Sequence, residues 1–150
     1  MLTDLLLAIA HHLLVFALTA MLVAEAVLLR TPLDAGGVRR LARLDAGYGI
    51  SAVLLLVAGF ARVFQGVKPS GFYLENPWFH AKLGVFVLVA LLSILPTVRF
   101  LRWRKALAAD PGYLPTAAGQ SRLRGMLRLE LALLAMIFAL AAAMARYGRF

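Results

Sequence analysis

Four long apolar stretches, separated by shorter polar connections, dominate the pattern of hydrophobic and polar positions along the chain. They cover about residues 5–29, 46–64, 78–98 and 126–145, and each approaches or exceeds the roughly 20 residues that a helix needs to cross a bilayer. None shows the two-residue alternation of a barrel strand, and backbone amides cannot stay unpaired in hydrocarbon. The pattern therefore predicts an all-α membrane protein, a single transmembrane domain over residues 1–150 that folds as an up-down bundle of four helices.

Prolines and glycines mark the connections between these stretches. Pro32, Gly36 and Gly37 are predicted to end the first span, and residues 38–44 to form a short interfacial turn before the second. Pro77 suits the first turn of the third span. Because the first stretch is longer than the apolar region of about 7–15 residues in a signal peptide, we interpret it as a retained span.

The composition favours a membrane protein over a soluble one. Apolar residues make up 63% of the chain and the mean hydropathy is +0.86, whereas soluble domains have about 45–50% apolar residues. The net charge of +9 comes mostly from the connections, where basic residues set topology and meet anionic headgroups. Membrane lipid is therefore an expected partner and nucleic acid is not. The chain has no cysteine, which excludes thiolate metal sites and covalent haem attachment.

The distribution of arginine and lysine predicts the orientation of the helices, because positively charged connections stay in the cytoplasm. The second connection holds only Lys68, and the C-terminus holds Arg146 and Arg149. We therefore expect the first and third connections to be cytoplasmic and both termini to lie on the outer side. The basic residues of those two connections are Arg30, Arg39, Arg40, Arg43, Arg99, Arg102, Arg104, Lys105, Arg122 and Arg124.

All three histidines lie inside predicted spans, where ionisable residues are candidates for function. His11 and His12 lie about two turns into the first span, and His80 lies less than one turn into the third. Since these spans run in the same direction, we expect the imidazoles in the same outer half of the bundle. Neutral imidazole binds haem iron well, and helix bundles hold cofactors between facing side chains. The alternative is that the histidines hydrogen-bond to helix neighbours or reach the headgroups.

Haem b fits two axial histidines and an apolar pocket better than zinc does, because a third or fourth zinc ligand is not evident. His80 is the predicted ligand on one side, and His11 or His12 on the other. Consecutive residues of a helix point about 100° apart, so only one of His11 and His12 is expected to face the haem. His11 shares a stripe with Glu25, which favours His11 without deciding the choice.

Two cations accompany the predicted site. Lys82 follows His80 by two residues and so points about 200° away from it. We expect Lys82 either to snorkel or to approach the ligand from the side with its long stem. Arg62, near the outer end of the second span, lies at a depth that suits a haem propionate. A contact between Arg62 and lipid phosphate is an equal alternative.

Two glutamates lie toward the cytoplasmic ends of their spans. Glu25 in the first span and Glu130 in the fourth are at similar depths, and Glu25 is expected to face the bundle because an ionised carboxylate is costly against lipid. The favoured interpretation is a structural ion pair with Arg30, Arg43 or Arg128. The alternative is a proton or substrate path from the cytoplasm.

A resemblance to a known family begins at the third span. The stretch Asn76-Pro-Trp-Phe-His-Ala-Lys-Leu-Gly resembles the Trp-hydrophobic-His-x-Lys-Leu signature of HemJ-type protoporphyrinogen oxidases, and His80 and Lys82 match it residue by residue. His11 or His12 is similar in position to the histidine early in the first span of those enzymes. The resemblance implies a small bacterial membrane protein with bound haem b.

The chain also departs from that family. Residues 17–20 replace an aromatic and glycine pattern, and Glu25 places a charge in a region that is normally uncharged. As a whole, the sequence looks closer to an uncharacterised family of bacterial four-helix membrane proteins. This resemblance implies a multi-pass protein of the bacterial inner membrane.

The expected function is therefore that of a haem b-binding membrane protein in redox chemistry, either porphyrinogen oxidation or quinone-linked electron transfer. His11, His12 and His80 are the candidate iron ligands, Arg62 is a candidate cofactor contact and Lys82 is the candidate catalytic residue. The expected partners are lipid and a quinone or porphyrin substrate, with a second copy of the chain as a further candidate. The alternatives are haem handling without turnover and a cofactor-free structural or transport protein.

Overall fold

The computed structural model describes residues 2–65 and 70–147, which form five α-helices and no strand. Lys68 and Arg149, two of the residues behind the predicted orientation, lie outside the described residues. The four long helices have the length and composition to cross a membrane, which confirms the all-α, four-span prediction. The helices are α1 (Leu2–Leu28), α2 (Ala35–Gln65), α3 (Ser70–Leu74), α4 (Pro77–Ala109) and α5 (Ala117–Tyr147).

The four long helices form a ring in which each one packs against two neighbours. α1 lies between α2 and α5, and α4 lies on the other side between the same two helices. In the described part of the chain, the backbones of the diagonal pairs α1–α4 and α2–α5 do not approach each other. Side chains that point inward from all four helices therefore share one central axis.

Three of the helices extend well beyond the predicted spans at the end of the bundle that holds most of the arginines. α4 has 33 residues, which at about 1.5 Å per residue is roughly 50 Å, against about 30 Å for the hydrocarbon core. α2 already begins at Ala35, so the predicted interfacial turn at residues 38–44 is wrong. The Asp34 carboxylate accepts a hydrogen bond of 2.5 Å from the Gly37 N–H and so starts this helix, while Val38 is buried.

The surface of the bundle is apolar, as expected for a protein solvated by lipid. In the apolar part of each long helix, at most 28% of the residues are buried inside the protein. Large side chains such as Leu13, Phe16 and Val53 are more than half exposed. On a soluble protein such a surface would cause aggregation, whereas in a bilayer it faces acyl chains.

Candidate functional site

A cavity of about 390 Å³ opens at the end of the bundle where α1 and α4 begin and α2 and α5 end. We call it the histidine cavity. Its wall is mostly apolar and aromatic, with few polar side chains, which is typical of sites for small organic ligands. The polar residues of the wall are His11, His12, Arg62, Tyr73 and Lys82. The aromatic residues around them are Phe60, Phe72, Phe79, Phe86 and Phe138.

The two neighbouring histidines of α1 differ in what their rings contact. The His11 ring is half-buried, and its Nδ1 atom is buried without a hydrogen-bond partner among the described residues. His12 also borders the cavity but is more exposed than His11, and its Nδ1 lies 2.6 Å from the Ala8 carbonyl oxygen, one turn earlier in the same helix. His11 therefore has a free nitrogen inside the bundle, whereas His12 is engaged with its own backbone.

Two cations line the same cavity, and none of the described residues of its wall is a carboxylate that could neutralise them. The Arg62 Nε atom is buried and has no hydrogen-bond partner among residues 2–65 and 70–147. The Lys82 Nζ atom lies 5.6 Å from the centre of the Phe79 ring, a cation–π distance. Both cations lie close enough to His11 to interact with it electrostatically. The cavity is therefore positively charged and apolar at once.

His80 does not join the other predicted site residues. Its ring is accessible on the outside of the bundle and is not part of the cavity wall. The His80 Nε2 atom lies 2.7 Å from the carbonyl oxygen of Leu74, the last residue of α3, and satisfies an acceptor that the helix end leaves free. The expected divergence of His80 and Lys82 is present, but it is Lys82 that faces the cavity.

The start of α4 explains this arrangement. The Asn76 side chain accepts a hydrogen bond of 2.9 Å from the Trp78 N–H, and Pro77 occupies the first turn. From that fixed start, Phe79, Lys82 and Phe86 share one face of the helix at spacings of three and four residues, and all three line the cavity.

The glutamates are not paired as predicted. Glu25 and Glu130 are buried, as expected for Glu25, but neither forms an ion pair with an arginine in the described part of the chain. Arg30, Arg43 and Arg128 are exposed on the outside of the bundle. In a bilayer, a long arginine stem allows the guanidinium group to reach the headgroups, where it is more stable than in a dry interior.

Within the described residues, no group of three or more His, Cys, Asp or Glu side chains is arranged to hold a metal ion. The model of a family described as "Predicted membrane protein (DUF2214)" matches residues 3–148. No curated protein and no solved structure matches the chain. The expected likeness to an uncharacterised membrane family is confirmed, while these comparisons add no support for the HemJ-type resemblance.

Proposed function

The chain belongs to the DUF2214 family of predicted membrane proteins, and we propose that it binds haem b in the histidine cavity for redox chemistry in the membrane. The observation behind this proposal is the pair of buried, unpartnered nitrogens, His11 Nδ1 and Arg62 Nε. Buried polar groups normally have partners. Two such groups in the wall of one cavity indicate a ligand that supplies the missing interactions.

The charge and shape of the wall define the class of that ligand. Two cations without a counter-charge favour a ligand with carboxylates, since Arg and Lys form strong charge-assisted bonds with them. The aromatic wall favours a large apolar ring system. A porphyrin with propionates combines both properties, and an imidazole beside it suits a porphyrin that contains iron. Quinones share the apolar ring but lack the carboxylates.

The polar residues of the histidine cavity have distinct roles in this proposal. His11 would bind the haem iron, and Arg62 and Lys82 would hold the propionates. His80 was the second predicted ligand, but its Nε2 is occupied by the Leu74 carbonyl. Lys82, which lines the same cavity as His11, would be the candidate proton donor or acceptor beside the bound group. When bound, haem would supply a one-electron redox centre.

The proposal extends to the setting of the protein. The arginines of the first and third connections favour a cytoplasmic location for that end of the bundle. The histidine cavity, at the opposite end, would then open in the outer half of the bacterial inner membrane, with both termini on that side. A porphyrinogen or a quinol would reach it from the outer leaflet.

The visible spectrum of the purified protein in mild detergent tests the proposal. We expect a Soret band after purification or after addition of haemin, and we expect His11→Ala to abolish or sharply weaken it. His12→Ala is the matched control and should retain the band, because the His12 ring bonds its own helix. A protein that takes up no haemin would refute haem binding. Haem binding without reduction by quinol or oxidation of porphyrinogen would favour haem handling, the candidate function that needs no turnover.

A further inference from the structure

A second polar region lies inside the bundle, far from the histidine cavity. Glu25 of α1, Asp45 of α2 and Glu130 of α5 are 1%, 5% and 0% exposed, and Glu25 interacts electrostatically with both of the others. We call these three residues the acidic cluster. Glu25 lies 14 residues beyond His11 on the same helix, which is about 21 Å at about 1.5 Å per residue. None of these three residues lines the histidine cavity.

The carboxylates receive few hydrogen bonds. The Thr97 hydroxyl on α4 donates to Asp45 Oδ1 over 2.8 Å, and the Tyr48 hydroxyl approaches Glu130 Oε2 at 3.5 Å, which is long for such a bond. One oxygen of Glu25 and one of Glu130 are buried with no partner in the described part of the chain. All four long helices contribute to this region, and among these side chains there is no cation.

Three ionised carboxylates cannot coexist in such a place. Each would lose its hydration without gaining a positive partner, and each would repel the other two. Neighbouring carboxyl groups solve this problem by sharing protons, so that at least one of them is neutral. Among the described residues, no hydroxyl group donates to Glu25, which therefore has the least support for a negative charge, whereas Thr97 donates to Asp45 and Tyr48 approaches Glu130.

We propose that the acidic cluster is a proton-binding site inside the bundle, with Glu25 as a protonated acid at neutral pH. A hydronium ion of the solvent transfers its proton to a Glu25 carboxyl oxygen and leaves as water, and the new O–H group can donate a hydrogen bond to one of the neighbouring carboxylates. A metal cation is the weaker candidate, since these side chains are not arranged to hold one. The site is independent of haem, so either proposal can fail without the other.

Infrared spectroscopy of the full chain in lipid nanodiscs at pH 7 tests the proposal. The C=O stretch of a protonated carboxylic acid is separate from the bands of carboxylates and amides. We expect this band in the unmodified protein, and we expect it to shift in D₂O. Of the seven acidic residues, the other four are Asp4, Asp34, Glu75 and Asp110, which are less buried than the cluster.

Matched substitutions assign the band. Glu25→Gln should remove most of its intensity, whereas Glu75→Gln, at an exposed position, should leave it unchanged. The absence of a protonated-acid band from the unmodified protein would overturn the proposal, and this measurement needs no variant to fold. A band that persists unchanged in Glu25→Gln, Asp45→Asn and Glu130→Gln would also overturn it. The unfolding temperature of the unmodified protein could also increase on addition of Na⁺ or Ca²⁺ while that of Glu25→Gln does not. This result would overturn the proposal, because a metal cation would then fill the site.

Discussion

His11 and Gly59 face each other between α1 and α2, and a β-carbon at position 59 would lie 3.7 Å from the His11 ring carbon Cε1. This is an ordinary van der Waals distance, so alanine fits without displacing the imidazole. A longer side chain at position 59 would enter the space of the ring and of the cavity beside it. The absence of a side chain at Gly59 is thus part of what shapes the histidine cavity.

The first prediction uses this contact. Gly59→Leu should displace the His11 ring and weaken haemin binding by at least about tenfold, which corresponds to about 1.4 kcal/mol. Gly59→Ala is the matched control and should bind haemin as the unmodified protein does. Titration of each purified protein with haemin, followed at the Soret band, measures the two affinities. Equal affinities for both variants would show that haem does not occupy the space beside His11.

The second prediction concerns His80. Because its ring bonds the Leu74 carbonyl and lies outside the cavity wall, His80→Ala should leave the Soret band in place. The variant should instead lose the hydrogen bond between α4 and α3, at a cost of about 0.5–1.5 kcal/mol in stability. Visible spectra and thermal unfolding of the same sample separate these effects. Loss of the Soret band in a folded His80→Ala protein would instead support ligation by two histidines, as the sequence alone predicts.

The contrast between His80 and Lys82 shows what the sequence can and cannot predict about the site. Their separation of two residues fixes an angle of about 200° between them, so it was predictable that only one would face a ligand. Which one does so depends on the rotation of α4 about its axis. Apolar residues surround this helix on all sides in its membrane part, so its pattern defines no inner face. In the folded bundle, Phe79 contacts the Tyr73 ring of α3 and Phe86 packs against the buried core, and such contacts between helices are not readable from the sequence pattern of α4.

The position of Asp45 inside the bundle is not predicted from the sequence, for a related reason. The four spans were predictable because long apolar runs have few alternatives in a bilayer. The apolar run of the second span begins at Ala46, however, and this start left Asp45 in a connection. The helix capped by Asp34 begins at Ala35, eleven residues earlier, so Asp45 is part of the helix and is buried near Glu25. The Asp34 cap and the spacing of Asp45 to Tyr48 were the signals that could have located it.

The third prediction concerns the hydrogen bond that Thr97 donates to Asp45. Thr97→Val removes the hydroxyl that donates to Asp45 Oδ1 and keeps the shape of the side chain. Since a buried acceptor then loses its partner, we expect a loss of about 1–3 kcal/mol in the free energy of unfolding. Thr19→Val is the control, because the Thr19 hydroxyl donates to the Val15 carbonyl of its own helix. Thermal unfolding in the same detergent should show a larger decrease for Thr97→Val.

The Thr97→Val substitution can also be combined with a change at position 45. In an Asp45→Asn background, Thr97→Val should cost less than in the unmodified protein, because the acceptor is no longer a carboxylate. Equal costs in both backgrounds would contradict a direct bond between Thr97 and Asp45.

The fourth prediction is the orientation in the membrane. Reporter fusions that are active only outside the cytoplasm should be active at the C-terminus and inactive at residues 117–119, at the start of α5. The reason is the concentration of arginines in the first and third connections, which resist translocation. An active reporter at residues 117–119 would reverse the orientation and place the histidine cavity on the cytoplasmic side.

The fifth prediction separates the two properties of the histidine cavity, its positive charge and its aromatic wall. Arg62→Met and Lys82→Met each keep an apolar stem and remove a charge beside His11. If these cations hold propionates, each variant should bind haemin about tenfold more weakly. Hydrogen bonds to charged groups contribute about 1.5–3 kcal/mol, and contact with solvent reduces this contribution.

Haemin dimethyl ester has the same ring and iron but no carboxylates. We therefore expect the unmodified protein and both variants to bind the ester with similar affinity. Spectroscopic titration with both compounds measures the difference, and equal losses for haemin and its ester would show that Arg62 and Lys82 shape the cavity without pairing with the propionates.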